Sequence, residues 1–177
     1  MVDRLETCGI PYMVSGGVAT LAHGEPRFTA DADIVISPSR EQAERFVGLF
    51  RASEAYVSRE AVSEALRERT MFNIIDSRSG WKADLVLLKS DPFSRTEFER
   101  RRPIETLGVR VTGVSPEDLV LSKLSWEKKS ASEKQLRDVA GILRIQRDAL
   151  DLDYLRRWAR ELGVEETLEK LLTRSLP

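Results

Sequence analysis

One cysteine and one histidine are all the chain has of two side chains widely used as nucleophile and general base. A lone Cys8 excludes an internal disulfide, and no base stands near it in the sequence. His23 closes a predicted helix beside Gly24, where its expected role is to meet the negative end of the helix dipole rather than to catalyse. Charge of one sign is missing too. With 28 Lys and Arg against 29 Asp and Glu, the chain has no global polyanion-binding character, so any nucleic-acid contact must be local. No apolar run approaches the ~18 residues of a membrane span, and the opening MVDRLETC has no apolar signal core. The expected location is the cytoplasm, with no membrane partner. Internal repeats and low-complexity segments are absent as well. What remains is an ordinary globular composition, 41% hydrophobic and 32% charged, in 177 residues, which is long enough to bury a real core.

Short apolar runs alternate with amphipathic stretches as far as residue 114, and helical periodicity alone follows. The expected class is therefore α/β (α+β), with a core over 1–114 and a helical subdomain over 115–177. Strands are predicted at 11–15, 31–37, weakly at 55–58, and at 71–76, 82–88 and 104–114, the last bent at Gly108. Helices are predicted at Val18–His23, Ser39–Ala52, Glu60–Arg69 and Ser94–Arg101. DSRSGW joins the fourth and fifth strands with the chemistry of a hairpin loop, which makes the sheet mixed. In the tail, SPEDL supplies Ser115 as N-cap, Pro116 at the first helical position and Asp118 at the capping-box site. Ser132 and Gln135 repeat that spacing, and Gly163 suits a turn between two final amphipathic helices.

The run DADIVIS contains two carboxylates in an otherwise apolar strand. Strand side chains alternate, so Asp31 and Asp33 project from one face while Ala32, Ile34 and Ile36 pack on the other. Like charges this close raise one pKa and destabilise the fold unless a cation joins them, and a hard divalent ion such as Mg²⁺ suits two oxygen donors. In KADLVLL, Asp84 likewise interrupts an apolar strand. If the two strands are neighbours, Asp31, Asp33 and Asp84 form one acidic cluster able to hold two metal ions ~4 Å apart, an arrangement that serves phosphoryl-type transfer. Upstream, MVSGGVATLAHG reads as strand, tight turn, helix. Gly16 and Gly17 permit close approach of a phosphate to the backbone N–H groups at a helix N-terminus. On the first tail helix, Lys123 falls within the arc of Leu119, Val120 and Leu124. On the next, Asp138 falls between Ile142 and Ile145. Each helix thus carries one charge in its apolar stripe. The pair reads either as a buried structural ion pair or as Lys123 on triphosphate oxygens with Asp138 orienting it or the acceptor.

SGG, then DAD, then KADLVLL resembles the nucleotidyltransferase superfamily that includes DNA polymerase beta. That family's pattern is a Gly-Gly or Gly-Ser turn, an Asp-x-Asp or Asp-x-Glu strand and a third acidic strand. GGVATLAHGEPRFTADADI is similar to the abortive-infection AbiEii-like toxins and their bacterial relatives. That group also carries a Lys on one C-terminal helix and an Arg-Asp pair on the next, matching Lys123 and Arg137-Asp138 here. The resemblance spans about residues 11–146. It implies Mg²⁺-dependent, or Mn²⁺-dependent, transfer of a nucleoside monophosphate from a nucleoside triphosphate to RNA, protein or another hydroxyl acceptor. It also implies toxin activity held in check by a cognate antitoxin. It makes Arg27 and Thr29 candidates for gripping phosphate or closing the turn. Many members have Gly-Ser where this chain has Gly16-Gly17, and Ser15, one place earlier, is the nearest hydroxyl.

Two other functions fit the same residues. An Asp-x-Asp also holds metal and a sugar-nucleotide diphosphate in glycosyltransferases, although those chains are usually longer. A non-catalytic module on this fold would sense nucleotide or bind a protein. The remaining conspicuous features have plain readings. FERRRP is expected as a solvated helix end, since Glu97, Glu99 and Glu105 surround it. Trp126, Tyr154 and Trp158 are expected as packing residues.

Overall fold

Seven segments extend where apolar alternation calls for strands. In a computed structural model, which describes residues 1–175, these are β1 (Tyr12–Ser15), β2 (Asp31–Ile36), β3 (Ala55–Tyr56), β4 (Met71–Asp76), β5 (Lys82–Leu87), β6 (Arg102–Thr106) and β7 (Val109–Gly113). They form one sheet in the order β3-β4-β5-β2-β1-β7-β6. The sheet is mixed: β2 runs parallel to β5 and β1 parallel to β7, while the other neighbours are antiparallel. The helices are α1 (Val2–Thr7), α2 (Gly16–His23), α3 (Arg40–Gly48), α4 (Arg59–Glu68), α5 (Pro92–Glu99), α6 (Pro116–Ser130), α7 (Glu133–Ile145), α8 (Leu152–Leu162) and α9 (Glu165–Ser175).

The predicted strand over 104–114 is in fact a hairpin. Leu107 and Gly108 take φ of 52° and 73°, the paired positive values of a two-residue turn that reverses the chain. Leucine rarely occupies that region, so the turn does not announce itself in the sequence. α5 begins at Pro92, two residues before the predicted start, because the Asp91 carboxylate accepts from the Ser94 N–H at 2.9 Å and Pro92 needs no donor. α3 stops at Gly48, short of Ala52. Ser115 does cap α6, accepting from the Asp118 N–H at 3.1 Å. Ser132 makes no side-chain cap on α7.

One face of β2 and β5 buries Ile34, Ile36, Leu85 and Leu87, which join Leu5 of α1 and Phe46 of α3 in the core. The same buried cluster continues through Leu119 and Leu124 of α6, Ile142 of α7, Leu155 of α8 and Leu168 of α9. Among the described residues no helix is long and apolar enough to cross a membrane.

FERRRP is not simply a solvated helix end. Arg100 lies 3.0 Å from Asp118 and 3.4 Å from Glu117, with its guanidinium 3.8 Å from the centre of the Tyr154 ring. Asp118 is fully buried and also accepts from the Ser115 and Tyr154 hydroxyls, so this network fixes α5, α6 and α8 together.

Candidate active site

The face of β2 and β5 opposite Ile34, Ile36, Leu85 and Leu87 carries the aspartates. Parallel pairing of β2 with β5 sets Asp33 beside Asp84 and Asp31 beside Lys82, and alternation points all four to the same side. α6 lies across this face, leaving an open cleft of about 260 Å³. Ser15, Gly16, Gly17, Arg27, Thr29, Asp31, Asp33 and Lys123 all line it. Asp84 and Asp138 do not: Asp84 is 8% exposed beside Asp33, and Asp138 lies behind Lys123. A larger cavity of about 450 Å³ lies on the opposite face, against Ala32, Ile74 and Ala83, and contains none of the three aspartates.

The two glycines are required by close packing as well as by the turn. Gly16 has φ of 56°, and a Cβ there would collide with the Asp33 carboxylate; a Cβ on Gly17 would meet Thr29 Oγ1. The Gly17 N–H donates to Asp33. Thr29 donates to the Asp31 carbonyl at 3.1 Å, so its hydroxyl braces the turn. Burial pushes the Asp33 carboxyl above its ordinary range, with the charges of Asp84 and Asp31 adding to it; the Gly17 N–H and Lys123 pull the other way.

The two charges in the tail helices meet. Lys123 Nζ is 2.7 Å from Asp138 Oδ2 and 3.1 Å from Gln135 Oε1. An ammonium has three donors, so one remains for a ligand. Arg27 grips the same carboxylate with two bonds, Nε at 2.8 Å and Nη2 at 2.9 Å, which pins the loop after α2 onto α7. Burial holds the Lys123 ammonium below the usual lysine range despite Asp138. The Asp138 carboxyl sits below its ordinary value because the bonds from Arg27 and Lys123 outweigh its burial.

Lys82 is the residue that sequence reasoning missed. Its Nζ is 3.1 Å from Asp84 Oδ2 and 3.7 Å from Asp31 Oδ1, and Asn73 donates to Asp84 Oδ1 at 3.0 Å. Among the described residues no three His, Cys, Asp or Glu side chains are gathered to hold a metal ion. The donor chemistry nevertheless fits one: hard carboxylate oxygens share a face, and a side-chain cation already lies against two of them.

Two further expectations change. Trp126 is 60% exposed and lines the cleft one turn beyond Lys123, whereas Tyr154 and Trp158 do pack inside. The His23 ring bonds the Val114 carbonyl at 2.8 Å, fastening α2 to the end of β7 instead of facing its own helix end.

Ser122, on the cleft wall, donates to the buried Glu97 at 2.7 Å. Burial pushes Glu97 up to about 7 from 4.5. The cost of ionising it in the folded state is therefore absent below about pH 4.5, grows as pH rises toward 7, and is complete above that. At ~1.4 kcal/mol per unit, it amounts to roughly 3 kcal/mol. Glu97→Gln is expected to melt higher than the parent near pH 8 and to lose that advantage near pH 5. A melting difference that does not change with pH would refute this.

Comparison with known proteins bears on the fold. No family model matches the chain, and no curated protein matches it. Solved structures do. An antigenic nucleotidyltransferase-like protein from Paracoccidioides brasiliensis is 19% identical with a TM-score of 0.57, over 97% of this chain and 88% of that one. ANT(2'')-Ia in complex with adenylyl-2''-tobramycin is 12% identical with a TM-score of 0.60, over 91% of each chain. The lincosamide antibiotic adenylyltransferase LnuA, lincomycin-bound, is 13% identical with a TM-score of 0.55, over 81% of this chain and 92% of that one. The chain thus has the nucleotidyltransferase-like fold, a mixed sheet flanked by helices.

Proposed function

We propose that the protein transfers a nucleoside monophosphate from a nucleoside triphosphate to a hydroxyl acceptor. The observation that carries this reading is the cleft itself. A glycine turn at a helix N-terminus, two strand aspartates and a buried lysine paired with Asp138 line one opening between sheet and helix. In this reading residues 1–114 form the core and 115–177 the helical subdomain, of which the described residues, as far as 175, close the cleft from above. Asp31, Asp33 and Asp84 would hold Mg²⁺ or Mn²⁺, which when bound neutralises the triphosphate and makes the α-phosphorus more electrophilic.

The chain's own residues do the rest. The positive helix N-terminus at the Gly16-Gly17 turn and the free donor of Lys123 face the phosphate oxygens, while the Gly17 N–H stays on Asp33. Arg27, committed to Asp138, keeps the loop and Lys123 in place. The acceptor oxygen bonds to the α-phosphorus as the bond to the leaving pyrophosphate breaks, and Asp84, braced by Asn73, takes the acceptor's proton. Positioning and charge stabilisation suffice for such a step, so a thiol or imidazole is not needed. Trp126, exposed on the cleft wall, offers its indole face to the base. The AbiEii-like resemblance extends the proposal to a cytoplasmic toxin acting on RNA or protein, with a cognate antitoxin as partner.

Tryptophan fluorescence tests the nucleotide step directly. Addition of Mg²⁺ with each nucleoside triphosphate is expected to quench the wild-type signal saturably, and Trp126→Phe to abolish most of the quenching. Stacking of this kind is worth about 1–3 kcal/mol, so affinity should fall by roughly 5- to 150-fold in Trp126→Ala. No quenching by any of the four would sink the reading.

A further inference from the structure

Lys82 stands inside the acidic cluster and belongs to none of the roles above. We propose that Lys82 is a tethered counter-ion that occupies the carboxylates until a triphosphate arrives, so that metal and triphosphate enter together and metal alone binds poorly. The inference rests on the nucleotide reading of the cleft.

The strand register builds the arrangement. Lys82 is paired with Asp31 and lies two positions before Asp84, so its stem rises from the same face between two carboxylates. Its ammonium is 3.1 Å from one and 3.7 Å from the other. Both oxygens of Asp84 are thereby taken, Oδ1 by Asn73 and Oδ2 by Lys82. This accounts for the three aspartates sharing a face without being gathered around one point. An entering dication has to displace an ammonium already in contact. When it comes with a triphosphate, the phosphate oxygens supply ligands that the occupied aspartates withhold.

Lys82 is also built to leave. A lysine is a compact charge on a flexible stem, unlike the forked grip of Arg27 on Asp138. Its side chain is 33% exposed, and it borders both the acidic cluster and the 450 Å³ cavity on the other face. That cavity gives the stem room to swing but no stronger partner, since its Glu54 is paired with Arg4 at 3.0 Å and its Asp76 Oδ1 is bonded by the Ser79 hydroxyl and N–H.

The test is calorimetric titration of Mn²⁺ into the folded protein, with and without a non-hydrolysable α,β-methylene triphosphate. Without the analogue, Lys82→Met is expected to bind Mn²⁺ about tenfold tighter than wild type, and Lys82→Arg to stay weak. With the analogue, wild type is expected to approach the Met variant. A Met variant that binds no tighter than wild type overturns the proposal, while the fluorescence response to nucleotide leaves the transfer reading standing. A tighter Met variant with no effect of the analogue on either protein overturns the coupling together with the nucleotide reading.

Discussion

Asp33→Asn is expected to lower nucleotidyl transfer by about 10³-fold or more while the protein melts at the same temperature or higher. A bound metal stabilises transition-state charge by several kcal/mol, and about 4 kcal/mol corresponds to that factor. The asparagine keeps an acceptor for the Gly17 N–H but brings no charge to the cluster. Stability moves the other way. Burial, then Asp84 and Asp31, raise the Asp33 pKa, so the folded state disfavours the ionised form. That penalty is absent below the ordinary carboxylate range and is reached as pH climbs through the raised value. Calorimetry at neutral and acidic pH should therefore show the variant's advantage shrinking on acidification. In cells, growth arrest on induction of the wild type but not of the variant would mark the toxin role. Unchanged turnover, or a variant that melts lower, would falsify the assignment of Asp33.

Asp138→Ala is expected to cost about 3–5 kcal/mol, a fall of roughly 6–20 °C for a domain of this size. The carboxylate takes two bonds from Arg27 and one from Lys123, and its own side chain is only 4% exposed. Its removal leaves Lys123, 6% exposed, as an uncompensated buried charge and releases the loop that carries Thr29. Combining Asp138→Ala with Lys123→Met should restore part of the loss, because the stranded ammonium is the main cost. Thermal denaturation of the wild type, Asp138→Ala, Lys123→Met and the double variant decides it. A single-variant loss under about 1 kcal/mol would show that the pair is peripheral.

Local periodicity picked out the three aspartates and the Lys123–Asp138 pair, and left the partners of Lys82 and Arg27 hidden. Asp31, Asp33 and Asp84 stood out because each breaks an apolar strand, and Lys123 and Asp138 because each breaks an apolar helical stripe. Lys82 carried no such signal. Its approach to Asp84 follows from i,i+2 alternation on β5, but its contact with Asp31 depends on parallel pairing between β2 and β5, which no property of either segment specifies. Arg27 finds Asp138 across 111 positions of sequence, so a loop cation and a docked clamp read alike. Trp126 is apolar on an amphipathic helix and was expected inside, but that part of α6 overhangs an open cleft. α1 was missed because six residues are too few to show a helical period. The β6–β7 turn was missed because it puts Leu107 where glycine or asparagine usually signals a reversal.

The strand order has a bearing on solubility. An open sheet exposes two edges, each a template on which another chain can add a strand. Here one edge is β3, only two residues long, and the other is β6, which opens with Arg102 and with Pro103, a residue that has no N–H to give. Both rims are blunted against strand addition, so association with a partner or a second copy falls to side-chain surfaces rather than to backbone zippering.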